Sequence, residues 1–252
     1  MIITNSMSKI YNYPDAKGLI FCGDIHGEFE KIIHKICNQY LITDSVIIFA
    51  GDCGFGFYKE NYYHSLYQHV LAKLSHCNNW LVFIRGNHDD PSFFQEEKVK
   101  YDRFRCVPDY SIISACNHNV LCIGGGISID RQDRLLYKNL YWANEAPIYD
   151  EANLVSLDRK IDIVVSHTAP SFCPPLTKDG IRSWLMQDNA LEDDLTNERE
   201  TFDKVFLKLK ELNHPLSKWY YGHFHFTNRM DYDNVVFRLL DIDELVEEYP
   251  TT

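Results

Sequence analysis

Five short stretches of this 252-residue chain gather the side chains that could hold a metal. "GDIHG" carries Asp24 and His26, "GDCG" carries Asp52, and "GNHDD" carries Asn87 and His88. "IDIVVS" is followed by His167, and "GHFH" holds His223 and His225. A histidine pair such as the last could be a satisfied piece of core, a pH-sensitive surface or two metal ligands. Carboxylate oxygen, amide oxygen and imidazole nitrogen together suit divalent ions such as Mn, Fe, Zn, Co or Ni. No cysteine stands among them, which argues against a structural zinc site. One ion takes three or four protein ligands. Asp24, His26, Asp52, Asn87, His167, His223 and His225 are enough for two ions that share one.

The elements that must position these groups are visible as apolar runs. "GLIFCG", "SVIIFAG", "WLVFIRG", "NVLCIGGG", "IDIVVSH", "SKWYYGH" and "VVFRLLD" are strand-length and rich in β-branched or aromatic residues. Five of them end at the polar groups named above. Ligands bind at the carboxyl ends of strands in open α/β sheets, so the five ends can converge. A purely structural origin would bring unpaired polar groups into a core region five times over, which is costly. Helical patterns lie between the runs. In "EFEKIIHKICNQY", Phe29, Ile32, Ile33, Ile36 and Cys37 fall on one helical face, and "TFDKVFLKLKEL" repeats the pattern. The alternation predicts an α/β domain with parallel strands. A single domain over 1–252 is expected, with 171–200, from "SFCPPL" through "EDDLTNERE", as an irregular excursion containing a helix and a possible lid.

Composition narrows the classes. The chain is 45% hydrophobic and 24% charged, the balance of a globular protein with a real core. Its formal net charge of −11 argues against general nucleic-acid binding, which needs a basic surface. Bound cations could still supply local positive charge for a phosphate-bearing substrate. No apolar run approaches the ~20 residues that cross a bilayer, and the N-terminus lacks the pattern of a signal peptide. The eight cysteines form no C-x-x-C pair and several lie in apolar runs, so buried thiols in a reducing cytoplasm are expected.

With these residues assembled, the chain resembles the calcineurin-like metallophosphoesterase superfamily. The pattern GDxH, GD, GNH[DE], a lone His after a strand, and GHxH is matched from Gly23 to His225. The resemblance implies an α/β four-layer αββα sandwich, two mixed β-sheets flanked by helices. It also implies two divalent metal ions. Asp24, His26 and His225 would hold one, Asn87, His167 and His223 the other, and Asp52 would bridge them. Two cations roughly 3.5–4 Å apart polarise a phosphoryl group and lower the pKa of a shared water, whose hydroxide attacks phosphorus. His88 would remain beside the site as a catalytic residue, giving a proton to the leaving group or stabilising phosphoryl charge. The competing role for His88 is a hydrogen bond that only orients its loop.

The departures from the family also matter. Where the protein phosphatases carry GDxxDRG, this chain has "GDCGFGF", with Phe55 and Gly56 at the places of the second Asp and the Arg. Phe55 also stands where purple acid phosphatases place a metal-binding tyrosine. A substitute phosphate clamp is therefore sought in "GGGISIDRQDR", where Arg131 and Arg134 are the candidates, unless both pair with Asp130 and Asp133. Arg85, before "GNHD", is expected to brace its loop. The implied activity is hydrolysis of phosphate mono- or diesters of small or nucleotide-like substrates. A protein phosphatase is the second reading. A non-catalytic scaffold of the same fold is the third, weakened because every expected ligand and His88 are present.

Overall fold

A computed structural model describes residues 8–137 and 140–248. The first elements are β1 (Ile10–Tyr13), β2 (Gly18–Cys22), α1 (Phe29–His34), β3 (Ser45–Phe49), α2 (Glu60–Cys77), β4 (Trp80–Phe83) and α3 (Ser92–Gln95). They are followed by β5 (Lys100–Tyr101), β6 (Phe104–Cys106), β7 (Ser111–Ala115), β8 (His118–Ile123), α4 (Arg131–Tyr137) and α5 (Glu151–Val155). The remainder comprises β9 (Ile163–Ser166), α6 (Arg182–Leu185), α7 (Leu191–Glu211), β10 (Lys218–Tyr221), β11 (Asn228–Tyr232), β12 (Val235–Leu239) and β13 (Leu245–Glu248). All seven apolar runs form strands. Residues 171–200 include α6 and the start of α7, which begins at Leu191. Its acidic run supplies Glu192, Asp193 and Asp194 to the first turn, where the helix dipole favours negative charge.

The strands make two mixed sheets, one of seven strands ordered β1-β7-β8-β9-β10-β12-β11 and one of six ordered β13-β2-β3-β4-β6-β5. The alternation along each strand explains why they stack. In β2, Ile20 and Cys22 face a core under α1 and α2, while Leu19 and Phe21 face the other sheet. In β10, Trp219 and Tyr221 pack towards α7, and Tyr220 points between the sheets, stacked on Phe21 at 3.9 Å. Strands buried on both faces read as continuous apolar runs, which is how these appear in the sequence. The result is four layers, helix–sheet–sheet–helix. All eight cysteines are free thiols, seven of them buried. Among the described residues no helix is long and apolar enough to cross a membrane.

Candidate metal centre

The central strands β2, β3 and β4 run parallel in one sheet, and β9 and β10 run parallel in the other. Their carboxyl ends carry the polar stretches. Asp24 and His26 follow β2, Asp52 follows β3, Asn87 and His88 follow β4, His167 follows β9, and His223 and His225 follow β10. Close approach of these loops needs glycine. A Cβ on Gly222 would stand 2.2 Å from Oδ1 of Asp24, and one on Gly86 2.1 Å from Oδ1 of Asp52. The backbone is also left-handed at four of the polar residues, His26, Asp52, His223 and His225, with φ of 44°, 48°, 73° and 54°. Asp and His tolerate this region better than most residues, yet it still carries strain.

The seven expected ligands come together as two clusters with Asp52 in common. Asp24, His26, Asp52 and His225 offer donor atoms within 4.8 Å of one another, and so do Asp52, His167 and His223. Asn87 joins the second, with Oδ1 2.9 Å from Nε2 of His167. Two donors about 2.1 Å from one ion, at 90–110° to each other, lie roughly 3.0–3.4 Å apart. Four observed edges match that spacing, while the His26–Asp24 edge, at 3.9 Å, is longer. His26 Nε2 is 3.1 Å from His225 Nε2, and His225 Nε2 is 3.1 Å from Asp24 Oδ2. His167 Nε2 is 3.1 Å from His223 Nδ1 and 3.2 Å from Asp52 Oδ1. These residues fit two divalent ions.

Surrounding groups aim the donors. Nδ1 of His167 lies 2.7 Å from the carbonyl of Ala50, so it carries the proton and Nε2 faces the cluster. Asn87 donates from Nδ2 to Ser128 Oγ, and Ser128 in turn donates to buried Glu145, which turns Oδ1 of Asn87 inward. Neither Ser128 nor Glu145 was expected from the sequence, and nothing in "GGGISID" or "ANEAP" marks them. Asp89 was also missed. Its carboxylate accepts from the N–H groups of Cys53, Gly54, Phe55 and Gly86 at 2.7–3.1 Å, tying the Asp52 loop to the Asn87 loop. Its place directly behind "GNH" was the available signal. Arg85 does brace its loop, donating to Asp109 and to the carbonyls of Glu145 and Ala146.

The electrostatics call for positive charge. Burial alone would lower the pKa of His167, but Asp52 and then Asp24 raise it to about 10. Burial would raise Asp52, yet His167 and His88 hold it well below the usual carboxylate range. His223 is pushed well below the ordinary imidazole value by burial and by His167. Without ions, a proton on His167 therefore serves the carboxylates.

The remaining three candidates separate. His88 donates its backbone N–H to Asp52 Oδ1 at 2.7 Å, and its ring lies beside Nη2 of Arg134, 2.9 Å from Nε2. Burial lowers its pKa, Asp52 opposes this, and Arg134 reinforces it. Arg134 is fixed by Asp130 and by the carbonyl of Leu140. Arg131 instead pairs with Asp188 and Asp194, binding α4 to the 171–200 segment. A cavity of about 790 Å³ opens over the centre, lined by Asp52, Asn87, His88, Arg134, His223 and His225 on one side and by the 171–200 segment on the other.

Residues 18–227 match a family model described as calcineurin-like phosphoesterase. Among curated proteins, the chain is 33% identical over 123 residues to the serine/threonine-protein phosphatase 4 catalytic subunit of Kluyveromyces lactis, covering 43% of this chain and 39% of that protein. It is 28% identical over 132 residues to the serine/threonine-protein phosphatase 6 catalytic subunit of Caenorhabditis elegans, covering 46% and 38% respectively. The chain thus spans about two-fifths of the length of these relatives. Among solved structures, the phosphopantetheinyl hydrolase of Mycobacterium tuberculosis is similar over 90% of both chains, with a TM-score of 0.41 and 14% identity.

Proposed function

The chain belongs to the calcineurin-like phosphoesterase family, and from that premise we propose that it is a phosphoester hydrolase dependent on two divalent ions. Its substrates are mono- or diesters of small or nucleotide-like molecules. The observation that supports this most is the pair of donor clusters sharing Asp52, with edges of 2.9–3.2 Å in the second. Asp24, His26 and His225 would hold one ion, Asn87, His167 and His223 the other, and Asp52 both. When bound, such ions polarise the phosphoryl group and activate water at neutral pH.

The chain's own residues do the rest. Arg134 meets the non-bridging phosphoryl oxygens, in the role its GDCGFGF loop lacks. His88 gives its proton to the leaving oxygen. Its lowered pKa leaves the charged form scarce at neutral pH, and an anionic phosphoryl group beside it restores that form. One domain carries this chemistry, with 171–200 as its cover. Manganese is a suitable ion, and a cytoplasmic setting suits the free thiols.

A protein phosphatase is the second reading, favoured by the two phosphatase relatives. Two features oppose it. Phe55 is fully buried among Phe29, Tyr63, Phe83 and Phe94. At Gly56, φ is +104° and a Cβ would stand 2.7 Å from the Trp142 ring, so that position holds no arginine. The test is hydrolysis of p-nitrophenyl phosphate by protein reconstituted with Mn, followed by a panel of monoesters, diesters and phosphopeptides. Two ions per chain and metal-dependent turnover are expected. Protein that binds no Mn and cleaves none of the panel would make the chain a scaffold of this fold.

A further inference from the structure

We propose, resting on the phosphoesterase reading, that the cavity beyond the metal centre binds the leaving group of the substrate, and that this group carries an uncharged, planar aromatic ring of nucleobase size. A nucleoside 5′-monophosphate is the simplest ester of that description. The cavity's volume of about 790 Å³ lies inside the range of roughly 300–1,000 Å³ that holds small molecules. It is continuous with Asp52, His88 and His223, so a phosphoryl group at the centre places the rest of its ester in this space.

Part of the wall is apolar. Ile129, Leu176, Ile181, Trp184 and Phe224 form an apolar lining. Phe224 stands between two proposed ligands and packs edge-on against His223 at 4.7 Å, so the apolar wall reaches the reacting end. Trp184, on the short helix α6, is half-buried and makes no ring contact with any described aromatic residue. An indole held on a cavity wall with no aromatic partner of its own is a stacking platform for a planar ligand.

Charges in the lining bear on which esters fit. Glu200 and Asp203 line the cavity, together with Glu198, whose carboxyl burial pushes up to about 7. Of the nearby cations, Arg199 is committed to the carbonyls of Pro170 and Cys173, and Lys178 to Glu192 and Thr196. Glu200 and Asp203 disfavour a second phosphate or a carboxylate beside them and offer acceptors to ring N–H groups.

Two measurements test this separately from the phosphoesterase reading. Calorimetric titration of metal-free protein with adenosine should show saturable binding to one site per chain, weakened at least about tenfold in Trp184→Ala. Leu176→Asp, at a side chain 70% exposed, gives a second variant with little risk to folding and should weaken binding likewise. With Mn loaded, adenosine 5′-monophosphate and ribose 5-phosphate release the same kind of primary alkoxide. Their kcat/KM values should differ at least about tenfold in favour of the nucleotide, and Trp184→Ala should reduce the gap to within about threefold. Release of phosphate from adenosine 5′-diphosphate should be slower than from the monophosphate. Equal turnover of the nucleotide and the sugar phosphate, with no adenosine binding, overturns the pocket while leaving the phosphoesterase reading intact. Faster turnover of the diphosphate or of a phosphopeptide also overturns it. Adenosine binding with no ester hydrolysed supports the pocket and removes the phosphoesterase reading instead.

Discussion

Asp52 is the one carboxylate that both donor clusters share, so on the proposed reading a single charge would serve two cations. Asp52→Asn should abolish turnover and weaken both ions, whereas His225→Ala should affect chiefly one and His223→Ala the other. Metal analysis of the three variants decides, and two ions retained at wild-type affinity in Asp52→Asn would end the bridging role. Arg134 and Arg131 lie on one turn of α4 but have different partners. Arg134→Ala should cost at least tenfold in kcat/KM, about 1.4 kcal/mol of transition-state stabilisation. His88→Ala should keep both ions and lose most turnover on alkyl phosphates, since aryl leaving groups need little protonation. Equal losses on p-nitrophenyl phosphate and an alkyl phosphate would assign His88 an electrostatic role. The residues of the two clusters were legible because they follow apolar runs. The choice between Arg131 and Arg134 was not, because it depends on where Asp188 and Asp194 fold back against the helix.

At the scale of elements, the central strands were legible and the connections were not. The β7–β8 hairpin turns through Cys116 and Asn117, with φ of 52° and 65°. Such a turn is usually announced by Asn-Gly or Asp-Gly, and a cysteine in it gives no such signal. The edge strand β5 and its neighbour β6 are too short to show a pattern. Asp89 is the clasp between two of the site's loops, and its four donors are the backbone N–H groups of residues that have no other listener nearby. Asp89→Ala should leave those buried groups unpaired and lower stability by about 3 kcal/mol or more. Denaturant melts of metal-free protein check this, and a loss below 1 kcal/mol would show that the loops hold without it.

For the whole molecule, the centre links proton and metal. His167 in the metal-free fold keeps its proton up to about pH 10, above the ordinary imidazole value. Its protonated form therefore contributes stability that is complete below pH ~6.5 and lost as pH rises towards 10. An incoming ion must displace that proton, so metal affinity should rise with pH through the same window and binding should release acid. Calorimetry in buffers of different ionisation enthalpy measures the release, and pH-independent affinity from pH 6.5 to 9 would remove the linkage. The left-handed turns at His26, Asp52, His223 and His225 have a further result. A non-glycine residue there costs about 1 kcal/mol against glycine, partly offset by glycine's greater freedom when unfolded. In metal-free protein His26→Gly should thus melt above His26→Ala. On the proposed reading, a histidine or aspartate stands at these turns for metal binding and not for endurance. The gain belongs to a turn such as His26, whose ring meets His225 and His88 of the same site, and not to Asp52, where glycine would forfeit the hydrogen bond from His88 and the pairing with His167.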